Sequence, residues 1–103
     1  MVGPDGKIWW SNPSAGNIAK STLSGTITTY STGSQPYGIV TGPDNNIWIA
    51  ELGSGKIGRM TTSGSLSEYS SGMQSGATPY GITLGSDGNI WFTDGTKIGK
   101  FVY

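Results

Sequence analysis

The chain has 103 residues, with six basic and six acidic side chains, 18 glycines, and neither cysteine nor histidine. A chain this short holds one domain at most, and the missing residue types exclude disulfide frameworks, thiolate zinc sites, thiol nucleophiles and histidine bases. Balanced charge without clustered Lys or Arg excludes the basic footprint that a nucleic acid or an anionic membrane surface demands.

Leu, Ile, Val and Phe supply only 19 residues, while 14 serines and 12 threonines supply the polar surface. Disorder would also need a high net charge, so a folded but thinly packed domain of strands and turns is expected. The segment from Met1 to Gly6 has no apolar signal region, and no stretch approaches 18 apolar residues. A soluble chain, cytoplasmic by default, is the expectation.

In chain order, the first recognisable block is Gly3-Pro4-Asp5-Gly6-Lys7-Ile8-Trp9. It returns as Gly42-Pro43-Asp44-Asn45-Asn46-Ile47-Trp48 and as Gly85-Ser86-Asp87-Gly88-Asn89-Ile90-Trp91, at offsets of 39 and then 43 residues. The next block, Asn17-Ile18-Ala19-Lys20, matches Lys56-Ile57-Gly58-Arg59 and Lys97-Ile98-Gly99-Lys100. A third, from Gly25 to Ser31, matches Gly64 to Ser70, and Pro36-Tyr37-Gly38-Ile39 matches Pro79-Tyr80-Gly81-Ile82. The extra four residues fall in one loop, where 31–35 becomes 70–78. Three repeat units of about 3–35, 36–78 and 79–103 follow within a single domain.

Each block is short, rich in Ile, Trp, Tyr and Thr, and bounded by turn formers, which predicts strands. One unit reads as strand a at 37–41, b at 47–51, c at 56–61 and d at 65–69. The turns Asp5-Gly6, Asn45-Asn46 and Asp87-Gly88 supply residues that accept positive φ. Their aspartates are expected to bond their own backbone. Strand b is apolar on both faces, Trp48 against Ile47 and Ile49, so both sides of the sheet must be covered.

A period near 40 residues, four strands and two buried faces select an all-β fold, the β-propeller, over an immunoglobulin-like sandwich. Along the chain the strands run b-c-d, a-b-c-d, a-b-c, the last strand c at 97–102. Ten strands make about two and a half blades, and one such arc cannot close a ring. Each large apolar side chain left bare forgoes about 1.5–3 kcal/mol, and several together match a domain's whole stability of ~5–15 kcal/mol. Homo-oligomerisation is the expected remedy, head to tail. Two chains would make six blades if every sheet stands alone, or five if strands are shared. The alternative is that these residues are a piece of a longer propeller.

The motifs Pro-Tyr-Gly-Ile, Gly-Pro-Asp-Asn-Asn-Ile-Trp-Ile-Ala-Glu, Lys-Ile-Gly-Arg and Glu-Tyr within 36–69 resemble the repeat of the streptogramin B lyases, also called virginiamycin B lyases. That resemblance implies seven-bladed rings and a magnesium-dependent lyase that opens a cyclic depsipeptide at its ester linkage without water. It also implies active-site histidines at the positions of Tyr37 and Tyr80. The family's acids would fall at Glu51 and Asp94, with Asn12 in the first copy, and at Gln35 and Thr78, two residues before the tyrosines.

Every histidine position is replaced, and an elimination needs a base poised near neutral pH, which an ordinary tyrosine is not. The expected function is therefore a self-assembling propeller module without catalytic chemistry and without a cofactor. Two alternatives stand beside it. One is a ligand-binding ring, lectin-like or peptide-binding, in which Tyr37, Tyr80, Glu51, Asp94, Asn12 and Gln35 line a shallow pocket for a small molecule or glycan. The other is a lyase remnant holding magnesium between copies of Glu51 and Asp94. Otherwise Glu51 and Asp94 are expected to be solvated strand-end acids. Trp9, Trp48 and Trp91 are expected to pack blade on blade, and Lys20, Arg59 and Lys100 to keep outer strands soluble.

Overall fold

The computed structural model describes residues 1–32, 35–70 and 78–102. The loop length difference expected at 31–35 and 70–78 lies largely outside the described residues. The described residues fold into ten strands in three antiparallel sheets. The first sheet holds β1 (Ile8–Asn12), β2 (Asn17–Ser21) and β3 (Ile27–Ser31). The second holds β4 (Pro36–Thr41), β5 (Ile47–Glu51), β6 (Lys56–Met60) and β7 (Leu66–Tyr69). The third holds β8 (Pro79–Leu84), β9 (Ile90–Asp94) and β10 (Lys97–Phe101). Sheets of three, four and three strands follow the b-c-d, a-b-c-d, a-b-c reading. A single 3-10 turn at Pro13–Ala15, which the turn signals did not indicate, joins β1 to β2.

The repeated Gly-x-Asp turns are built alike. Gly6, Asn45 and Gly88 have φ of 76°, 61° and 81°, and their N–H groups donate to the carbonyls of Gly3, Gly42 and Gly85 at 3.0, 3.2 and 3.1 Å. Gly42 is required for a different reason, since a Cβ there would run into the Trp48 indole.

The core consists of two layers between sheets. Trp9 and Ile18 of the first sheet pack against Ile47, Ile49 and Met60 of the second. Trp48 and Ile57 of the second pack against Ile90 and Phe92 of the third, with Phe101 closing 4.9 Å from Trp48. Trp9 and Trp48 thus face the following sheet, and Ile47, Ile49 and Ile90 the preceding one, as the double-faced pattern of β5 requires.

The outer flanks have no such cover among the described residues. Ile98 is 74% exposed, whereas its repeat mates Ile18 and Ile57 are at 0% and 1%. Ile8 is 38% exposed against 0% for Ile47 and Ile90. No helix among the described residues is long and apolar enough to cross a membrane.

Candidate functional site

The innermost strands β4 and β8 lie side by side, and this places Tyr37 and Tyr80. A bulge between Pro36 and Ile39 breaks the β4–β5 register, and its twin falls between Pro79 and Ile82. Gly38 sits in the first bulge, where a Cβ would stand 2.6 Å from the Tyr80 carbonyl oxygen. Because glycine permits that approach, the rings of Tyr37 and Tyr80 stack, 4.7 Å between centroids and 26° apart in plane. Tyr37 is half-buried, and Tyr80 is 56% exposed. The Ser11 hydroxyl donates to the Tyr37 carbonyl at 2.6 Å and ties the first sheet to the same edge.

The acids at the strand ends separate in character. Glu51 is fully buried, which corrects the expectation of a solvated strand-end acid. The physical reason lies in the turn and in β6. The Ser54 hydroxyl donates to Glu51 Oε1 at 3.2 Å, and Gly58 leaves the space that Oε2 occupies, for a Cβ there would strike it. Asp94 is half-buried and its Oδ1 accepts the Thr78 backbone N–H at 2.8 Å. Asn12 donates from its amide to Asn17 Oδ1 at 2.8 Å.

Gln35 is exposed on a polar hollow of about 510 Å³ that it shares with Pro13, Ser14, Gly16, Ser31 and Gly53, a lining that includes neither tyrosine. Of the six candidates, Tyr37 and Tyr80 are brought into mutual contact. Among the described residues no group of three Asp or Glu side chains lies close enough together to hold a metal. Magnesium takes several hard oxygen ligands, usually including one or two carboxylates and waters; an enclosed Glu51 and a backbone-bound Asp94 do not fit that set.

The strongest repeated constellation escaped the sequence reading. Asp5, Asp44 and Asp87 do cap their own turns, accepting the N–H two residues on at 3.2, 3.3 and 3.1 Å. The same Oδ1 also accepts the indole N–H of Trp9, Trp48 and Trp91 at 2.9, 3.0 and 3.0 Å. Lys20, Arg59 and Lys100 complete each set, 3.6, 3.2 and 3.9 Å from the carboxylate and 5.2, 5.6 and 5.2 Å above the tryptophan ring. These cations are thus parts of a clamp on the tryptophan and not merely solubilising charges. The signal was the fixed spacing of four from Asp to Trp, paired with a cation at one position of the third strand. Burial works to raise the Asp44 carboxyl, but bonds from Trp48 and Asn46 outweigh it and hold the group below its ordinary value. In Asp87 the Trp91 bond leads and the direction is the same.

Antiparallel sheets stacked face to face, with their inner strands side by side, define a segment of a β-propeller. The chain belongs to the Virginiamycin B lyase family, whose model matches residues 1–102. Among solved structures it is similar to virginiamycin B lyase from Staphylococcus aureus, at 36% identity and a TM-score of 0.91 over 97% of this chain and 36% of that one. A streptogramin B lyase structure matches at 33% identity and 0.90, covering 98% and 35%. A catalytically inactive histidine-to-alanine variant of the Staphylococcus aureus enzyme, with quinupristin, matches at 34% and 0.86, covering 98% and 39%. The chain therefore spans little more than a third of the length of these proteins. Comparison with curated proteins gave no match.

Proposed function

We propose that this chain is a self-assembling propeller segment that joins copies of itself flank to flank and carries no elimination chemistry. The observation that carries the first part is the contrast at one repeat position, where Ile98 is 74% exposed and Ile57 is 1%. Beside Ile98 lies an apolar hollow of about 330 Å³ lined by Gly81, Ile82, Thr83, Trp91 and Thr93. It is the counterpart of the surface on which Trp9 and Ile18 receive Ile47 and Ile49 within the chain. The opposite flank carries Ile8 and Trp10 at the positions of Ile47 and Ile49. Two unlike, matching flanks on one molecule associate head to tail. Sheets of three, four and three strands support a six-bladed ring of two chains.

The second part rests on the replaced histidines. In the Staphylococcus aureus enzyme one histidine-to-alanine change leaves a catalytically inactive protein, and this chain has no histidine at all. Tyr37 and Tyr80 stack on each other, and Glu51 lies enclosed beside Ser54. A general base must reach the proton it removes, and neither arrangement presents one.

Two experiments test the reading. A melting temperature that rises with protein concentration is expected, because association stabilises only the folded state; a concentration-independent value contradicts self-assembly. Quinupristin incubated with the chain and magnesium is expected to stay intact, and accumulation of the ring-opened product would refute the non-catalytic assignment.

A further inference from the structure

Two turns in the chain have the same construction and opposite surroundings. In the turn between β2 and β3, Gly25 (φ 96°) donates to the Thr22 carbonyl at 3.0 Å, and Thr26 N–H donates to Thr22 Oγ1 at 3.1 Å. In the turn between β6 and β7, Gly64 (φ 98°) donates to the Thr61 carbonyl at 2.9 Å, and Ser65 N–H donates to Thr61 Oγ1 at 3.1 Å.

The second turn is docked on the preceding sheet. Gly64 rests on the Tyr30 ring so closely that a Cβ would strike it, and Lys20 Nζ donates to the Thr62 carbonyl at 2.6 Å. The first turn is free on that side: a Cβ at Gly25 would meet nothing within 4 Å, and Leu23, which stands where Thr62 does, is 87% exposed.

The cation that would receive the first turn is present at the other end of the molecule. Lys100 is the repeat mate of Lys20. It is set by the same two partners, Asp87 at 3.9 Å and the Trp91 ring at 5.2 Å, yet its side chain is 40% exposed where that of Lys20 is 12%. An ammonium has three donors, and the carboxylate takes only one direction.

We propose that Lys100 of one copy donates to the Leu23 carbonyl of a second copy, reproducing between chains the bond that Lys20 makes to Thr62 within one. This rests on the self-assembly reading and fixes its register. The aromatic seat that Tyr30 offers Gly64 has no counterpart among the described residues of the third sheet, so the lysine bond is what sets the flanks against one another.

The chain has no cysteine, so Leu23→Cys introduces a single thiol. A short amine-to-thiol cross-linker applied to that variant, mixed from isotope-labelled and unlabelled protein, is expected to join position 23 of one copy to Lys100 of another. Lys100→Met is expected to weaken association about 10-fold or more, the range of a hydrogen bond to a charged group, while Lys100→Arg retains most of it. Lys20→Met serves as the comparison, lowering stability equally at every concentration.

A chain that associates, with Lys100→Met unaffected and cross-links at other lysines, overturns the latch and leaves self-assembly standing. A wild-type chain that never associates overturns both.

Discussion

The Asp44 carboxylate engages three residues at once: it caps its turn at Asn46, holds the Trp48 indole and pairs with Arg59. Asp44→Ala is expected to cost about 1–3 kcal/mol, the range for hydrogen bonds to a charged group, as read by chemical denaturation. Its lowered pKa gives a signed pH dependence. A carboxyl held lower in the folded state than in the unfolded one stabilises the fold above the unfolded value, near 3.9, and that gain is lost as pH falls through the folded value. The melting temperature is therefore expected to fall below about pH 4, and Asp44→Asn to flatten the slope. A slope unchanged by Asp44→Asn would assign the acid sensitivity elsewhere. Gly42→Ala, which pushes a methyl group into the Trp48 indole, is expected to destabilise by about 1–3 kcal/mol through overpacking. At this scale the sequence was half legible. Asp-Gly and Asp-Asn-Asn announce a turn by local chemistry. That the same carboxylate bends back to meet an indole four residues on depends on the turn's three-dimensional path.

At the scale of strands and sheets, period and alternation were enough to anticipate the ten strands and to place the five given bounds to within about one residue, because each strand's length is bounded by Gly, Pro, Asp or Asn. Burial of the strand-end acids was not legible in the same way. Glu51 follows four apolar residues, Ile47 to Ala50, and looks like an ordinary polar terminus. Its enclosure comes from Gly58 on the paired strand and Ser54 in the next turn. Tyr37 and Tyr80 were placed on the inner strand by the Pro-Tyr-Gly motif, but their mutual stacking required the bulge at Gly38 that lets β4 approach β8. The two interfaces yield a comparative prediction. Ile57→Ala, buried between sheets, is expected to cost about 2–5 kcal/mol at any protein concentration. Ile98→Ala is expected to approach that cost only under conditions of association, and to fall within about 0.5 kcal/mol in dilute, dissociated protein. Denaturant titrations of both variants at two concentrations check this, and equal concentration-independent losses would contradict it.

For the molecule as a whole, repeat arithmetic anticipated that three sheets leave two unlike flanks bare, and the exposures of Ile8 and Ile98 put residues on each. Family membership was legible from the motifs, while activity was not, because the chain spans little more than a third of the length of its solved relatives. In the proposed assembly the flanks are covered by another copy. Sedimentation velocity on the isolated chain measures this directly. A particle of twice the 10.7 kDa chain mass is expected, shifting toward the single chain on dilution. A species of 10.7 kDa at every concentration, unfolding cooperatively, would contradict it.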